Sequence, residues 1–253
     1  MNARITLTTL LMSLSAILSG GASAQAPSNQ PQGWTYGLGV AASQDVYTGF
    51  DNRIVPIPII GYVGERLRVY GPFVGYQLFQ EDGLTIDAQL VPIFAGYEED
   101  DSAVFEGMED RDFSYGAGAS ISYTTEGWIY SVSANADILN TFDGYQASAR
   151  VAKQFRYKGV IIEPSVGLNY QDSNYVDYYY GVTAQEATAA RAFYQADSAL
   201  NTELRLGFTT RQFLGGMTRL DFGATFFDDS ISDSPITDDD MALSAMLTYV
   251  RFF

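Results

Sequence analysis

The chain has 253 residues with 14 basic and 30 acidic side chains, no histidine and no cysteine, for a formal net charge of −16. An acidic balance of this size argues against nucleic acid as a partner, because phosphate binding needs a basic surface. The two absent residue types remove disulfide staples, zinc sites built on them and any Ser-His-Asp arrangement.

Residues 1–24 read as a secretory signal peptide. Arg4 is the only charge before Asp45, an apolar run extends from Ile5 to Leu18, and Ala22-Ser23-Ala24 provides a small-residue cleavage site. The remaining 229 residues carry 13 basic and 30 acidic groups, a net charge of −17. After the leader no apolar stretch reaches the ~18 residues of a membrane helix. Eighteen tyrosines, 16 phenylalanines and 24 glycines beside only two lysines point to strands and turns.

Eleven segments read as strands: 34–44, 54–63, 66–80, 84–98, 111–124, 126–138, 144–155, 158–170, 197–210, 216–228 and 240–252. Their signal is period-two alternation, which sends successive side chains to opposite sheet faces. Along 197–208, Leu200, Thr202, Leu204, Leu206 and Phe208 oppose Asn201, Glu203, Arg205 and Gly207. Leu220, Phe222, Ala224 and Phe226 oppose Arg219, Asp221 and Gly223 in the same way. A secreted sandwich would also alternate, with its apolar faces turned inward. Segments longer than the ~5–6 residues of soluble strands, aromatics at their ends and small or charged residues on the polar face favour a membrane barrel. A closed barrel also satisfies every backbone group in lipid.

The fold class expected is therefore all-β: a transmembrane antiparallel up-and-down barrel over residues 34–253, preceded by a short periplasmic segment over 25–33. Short turns at Glu81-Asp82-Gly83, Thr125-Glu126-Gly127, Arg156–Gly159 and Leu214-Gly215-Gly216 alternate with longer connections at 45–53, 99–110, 171–196 and 228–240. Outer-membrane barrels keep short turns on the periplasmic side and long loops outside. They also have an even number of strands, and eleven is odd. Either 54–63, with Pro56 and Pro58, belongs to an outer loop and leaves ten, or 66–80 breaks at Gly71-Pro72 and gives twelve.

One long loop carries Tyr178-Tyr179-Tyr180. Thr183 followed by Glu186 makes a capping-box pattern, which predicts a short helix over 184–193 in that extracellular loop. Tyr178, Tyr179, Tyr180, Glu186 and Arg191 are the candidate contacts at the barrel mouth, either as packing for the loop or as a cover over the entrance. Asp87, Asp137, Arg150, Glu163, Glu203, Arg205, Arg219 and Asp221 are the candidate lumen-lining charges. Residues of both signs suit a narrow lumen filled by paired side chains better than an open pore. The acidic runs Glu98–Asp101, Asp228-Asp229 and Asp238–Asp240 lack the spacing of a calcium loop and read as solvated loop surface. No catalytic residue, metal site or cofactor is implied.

The chain ends in Tyr249-Val250-Arg251-Phe252-Phe253, an alternating strand with a terminal phenylalanine. Together with Asn174, Tyr178–Val182, Glu186-Ala187, Asp233–Ile236 and the Val55–Tyr62 segment, it resembles the MipA/OmpV family of outer-membrane proteins, from about residue 34 to the end. The resemblance implies a barrel in the outer membrane of a Gram-negative bacterium, in contact with lipid and lipopolysaccharide. It further implies a non-enzymatic scaffold that joins a murein hydrolase to a murein synthase. A narrow porin-like channel for small solutes and a surface adhesin are the alternatives it leaves. It carries no catalytic residues over to this chain.

Overall fold

The computed structural model describes residues 32–49 and 53–253, so the expected leader and most of the 25–33 segment lie outside the described residues. The strands are β1 (Gly33–Ser43), β2 (Arg53–Val63), β3 (Leu67–Tyr70), β4 (Phe73–Glu81), β5 (Leu84–Ile93) and β6 (Ser114–Thr125). They continue with β7 (Trp128–Asp137), β8 (Tyr145–Lys153, resumed over Phe155–Tyr157), β9 (Val160–Gln171), β10 (Ala199–Thr210), β11 (Met217–Phe226) and β12 (Met241–Phe252). Each pairs antiparallel with the next, and β12 pairs with β1 from Thr35↔Phe252 to Ser43↔Ser244. Among the described residues, twelve strands thus close into a barrel.

The choice between ten and twelve falls on twelve, because the 66–80 segment folds back at Gly71-Pro72 into the β3–β4 hairpin. The 54–63 segment is a full strand, with all 11 residues of β2 paired to β1. Its prolines are tolerated for a geometric reason. The Gly71 N–H donates to the Ile60 carbonyl, which directs the backbone polar groups of even-numbered β2 residues toward β3. Pro56 and Pro58 share that direction, yet β3 pairs only with Gly61, Tyr62 and Val63. No ladder bond is there to be lost. Pro164 on β9 has the opposite effect. Asp172 donates to the Tyr145 carbonyl, so even-numbered β9 residues face β8, and β8 is interrupted at Gln154 beside Pro164.

Three of the short turns are two-residue hairpins with both φ angles positive: Asp82-Gly83 (48° and 85°), Glu126-Gly127 (46° and 80°) and Lys158-Gly159 (46° and 80°). Such turns match the twist of the flanking strands. At Gly83 a Cβ would lie 2.3 Å from the Thr124 carbonyl oxygen, so only glycine fits. These turns share one rim with the Leu214-Gly215 turn and with the outer ends of β1 and β12. The long connections leave and re-enter the wall at the other rim, including the one that follows Ser43, once the β3–β4 hairpin restores parity.

Side-chain direction follows the alternation. Leu204 and Phe222 point outward at 47% and 46% exposure, whereas Glu163 points inward at 3%. Trp34, Tyr36, Trp128, Tyr157 and Phe253 ring the short-turn rim, and Phe113, Tyr115, Tyr145 and Tyr170 lie near the other. Oil-facing walls between aromatic belts are what a membrane-spanning barrel requires. No helix among the described residues is long and apolar enough to cross a membrane.

Candidate functional site: a closed mouth above a charged lumen

The main buried apolar core sits among the long loops. It joins Tyr47, Tyr97, Phe105, Phe142, Tyr175, Tyr179, Tyr180 and Ile236 across the loop-bearing mouth. Tyr97 and Phe105 stack with ring centroids 3.8 Å apart and planes 2° apart. Tyr47 stacks on Tyr180 at 5.4 Å and meets Phe105 edge-on at 5.4 Å. Interlocked aromatics of this kind bury large areas and fix relative orientation.

The loop helix is present, but it is the tyrosine run itself. Helix α1 (Ser173–Tyr180) starts where the Asp172 carboxylate accepts the Tyr175 N–H, and ends where Gly181 N–H donates to the Asp177 carbonyl. Its 3.6-residue period puts Tyr175, Val176, Tyr179 and Tyr180 on one buried face. The helix expected over 184–193 does not form. Thr183 and Glu186 do exchange the capping-box bonds, at 2.9 Å and 3.3 Å. The chain then reverses, with Val182 bridging to Tyr194 and Thr188 N–H donating to the Arg191 carbonyl at 2.7 Å. Tertiary demand outweighs the helix signal: the reversal delivers the Arg191 guanidinium to the carbonyls of Val104, Glu106 and Glu186.

Glu186 is the electrostatic centre of the mouth. Its carboxylate, 4% exposed, accepts bonds from the N–H groups of Glu109 (3.0 Å) and Thr183 (2.9 Å), the Thr183 hydroxyl (2.8 Å) and Arg111 Nη2 (2.8 Å). Burial alone would raise its pKa. The hydrogen bonds from Thr183, Glu109 and Arg111 outweigh that and hold it down at about 2. Arg111 also donates to the carbonyls of Tyr178 (2.7 Å) and Glu109 (2.8 Å), and stands 5.6 Å from the Tyr178 ring centre. Of the predicted mouth residues, Tyr179, Tyr180, Glu186 and Arg191 are buried in this assembly and Tyr178 is half-buried. The Tyr179 hydroxyl donates to the Asp112 carbonyl, and the Tyr180 carbonyl accepts the Ser234 hydroxyl. Burial raises the phenol pKa of Tyr179 and Tyr180, so both stay neutral.

Beneath the mouth lies a cavity of about 210 Å³, below the ~300–1,000 Å³ of a drug-sized ligand pocket. Tyr47, Tyr175 and Tyr180 line it from the mouth side, and Arg150, Glu203 and Arg205 from below. The predicted lumenal charges gather on β8 to β11. Glu163 faces Arg150 (3.8 Å) and Arg219 (3.4 Å), Arg219 pairs with Asp221 (2.7 Å), and Arg205 with Glu203 (3.1 Å). Gly207 makes room, since a Cβ there would sit 2.7 Å from Arg219 Nη2. Asp87 stands apart, paired to Arg68 at 2.5 Å. Asp137 lies at the mouth end of β7, where it accepts bonds from Ser114 and from the N–H groups of Leu139, Phe142 and Asp143.

Arg68 and Arg111 escaped the sequence reading because each partner lies far along the chain or on another strand; Arg111 was assigned to a strand that begins at Ser114. Gln154, which donates to Glu163 at 2.7 Å, was missed for the same reason. In the acidic run, Asp101 accepts the Glu98 N–H and Glu99 accepts the Gly107 N–H. Among the described residues no three carboxylates converge as a cation site would need.

A family model described as MltA-interacting protein MipA matches residues 36–253. The putative outer membrane protein YiaT of Escherichia coli (strain K12) is 27% identical over 208 residues, 80% of this chain and 83% of that protein. The MltA-interacting protein of the same strain is 25% identical over 213 residues, 81% of this chain and 84% of its own length. Among solved structures, the NanC porin is 9% identical with a TM-score of 0.44, covering 86% of this chain and 99% of that one.

Proposed function

This chain belongs to the family of MltA-interacting protein MipA, outer-membrane β-barrels, and we propose that it is a non-enzymatic scaffold for murein-remodelling enzymes at the periplasmic face. The observation that carries this reading is the loop core packed across the mouth. An aromatic core and a buried Arg111–Glu186 pair occupy the place where a porin would admit water. The name of the relative, MltA-interacting protein, supports an enzyme partner for this chain as well.

Short periplasmic turns offer little surface, but two of them adjoin. Gln212 donates to the Lys158 carbonyl and Thr210 to the Gly159 carbonyl, which joins Arg156, Tyr157 and Lys158 to Arg211, Phe213 and Leu214. Phe213 and Leu214 are 57% and 68% exposed. Exposed apolar groups beside three cations, Arg156, Lys158 and Arg211, make a surface for an acidic protein face. Crosslinking in cells followed by co-purification with a murein hydrolase tests the reading. Capture should fall in the double variant Arg156→Glu, Phe213→Ala, and equal capture by wild type and variant rejects this surface. Liposome swelling separates the narrow-channel alternative, which requires solute flux through the intact barrel.

A further inference from the structure

The barrel wall is incomplete on one side of its loop-bearing half. β2 pairs with β1 along its whole length, whereas β3 turns back at Gly71-Pro72 after pairing with three β2 residues. β4 begins at Phe73 and first pairs with β5 at Val74↔Leu90. Above the hairpin tip, residues 54–60 of β2 and 91–93 of β5 therefore have no strand between them among the described residues. At ~3.3 Å per residue the β2 side of this notch runs roughly 20 Å along the strand.

An open sheet edge in hydrocarbon leaves backbone donors unsatisfied. Here prolines remove them from both sides of the notch. Pro56 and Pro58 direct their ring nitrogens toward the missing neighbour, which leaves Ile54 and Ile60 as the N–H carriers on that edge of β2. On β5, Thr124 N–H donates to the Gly83 carbonyl, so odd-numbered residues face β6 and even-numbered ones face β4. Pro92 thus turns its nitrogen to the notch as well. A proline-edged gap cannot recruit a strand by ladder bonding along its length.

The interior behind the notch is unlike the rest of the lumen. Ala41, Phe73 and Met246 are buried there, with Val55, Ile57, Val91 and Phe94 packed on them, and none carries a charge. Phe73 and Phe94 meet at 6.5 Å, and the lumenal cavity reaches Val91 and Phe94. An apolar inner wall, a gap facing lipid and edges where proline leaves few donors suit one kind of occupant. We infer that the notch is a lateral portal through which an acyl chain from the membrane enters and lies against Ile57, Phe73, Val91 and Phe94.

The test uses the mature chain refolded into phospholipid bilayers, with a photoactivatable palmitate in one arm and a phospholipid bearing the same photoactivatable tail in the other. Mass spectrometry then maps the adducts. Inward-facing Ile57, Val91 and Phe94 should be labelled along with lipid-facing Leu204 and Phe222, while Thr85, buried in the lumen near the short turns, stays unlabelled. Labelling of the inward set by palmitate alone assigns the portal to free fatty acids; labelling in both arms assigns it to lipid tails. Adducts confined to outward residues in both arms overturn the inference. Ile57→Trp should abolish labelling at Val91 and Phe94 without changing Leu204, and the wild-type maps stand if that variant does not fold. A disulfide-linked dimer formed by Ile60→Cys and undiminished by palmitate would mean that a second copy occupies the edge, which also overturns it. No murein enzyme enters the assay, so its outcome is independent of the scaffold reading.

Discussion

Neutralising Glu186 should loosen the mouth without unfolding the barrel. The Glu186→Gln variant keeps the volume and removes the charge that Arg111 and the Thr183 and Glu109 amides hold. Lowering a carboxyl from 4.5 to about 2 corresponds to about 3 kcal/mol at neutral pH, or roughly two orders of magnitude in the opening equilibrium. Because the folded value is depressed, this contribution is whole above pH 4.5, shrinks as the pH falls, and is gone once the pH passes about 2. Hydrogen exchange of peptides containing the Thr183 and Glu109 amides, in detergent-refolded protein, reads the opening directly. Those amides should exchange far faster in the variant at pH 7, and the difference between wild type and variant should close on acidification. Equal protection at pH 7 would refute the assignment of Glu186 as the clamp. So would a difference that persists at the acid limit.

Deleting residues 177–194 removes Arg191, Glu186 and most of the tyrosine cover, so single-channel conductance in planar bilayers should rise; an unchanged trace would mean that the remaining loops seal the mouth. Arg219→Met leaves Glu163 and Asp221 without their shared cation, a loss of about 3–5 kcal/mol that should lower the urea midpoint followed by Trp34 and Trp128 fluorescence. Tyr179→Phe removes the bond to the Asp112 carbonyl and should cost about 1 kcal/mol in local opening, seen in exchange at the α1 amides with no shift in the global midpoint. Gly118→Ala would place a methyl 1.8 Å from the Ala134 carbonyl oxygen, so refolding yield on heat-modifiability gels should fall sharply where Ala119→Ser leaves it intact.

The alternation in 158–170, 197–210 and 216–228 was enough to identify outward Leu204 and Phe222 and inward Glu163, Arg205 and Asp221, because side-chain direction along a strand is a property of the local backbone. The X-Gly turns were legible for the same reason. The mouth was legible only in part: the residues singled out around the tyrosine loop do come together, yet the helix fell on 173–180 instead of 184–193. An N-cap at Asp172 and a charge partner at Arg111 decided that, and the second lies 75 residues from Glu186.

What the amino-acid order determined by itself was which face of each strand meets oil, where the chain turns tightly and that histidine and cysteine are absent. Tertiary structure alone decided that twelve strands close the ring, that Pro56, Pro58 and Pro92 border one gap, and that separate loops share one aromatic core. Local patterns are set by neighbours in the chain, whereas closure and loop docking depend on which distant groups can satisfy one another once the wall is built.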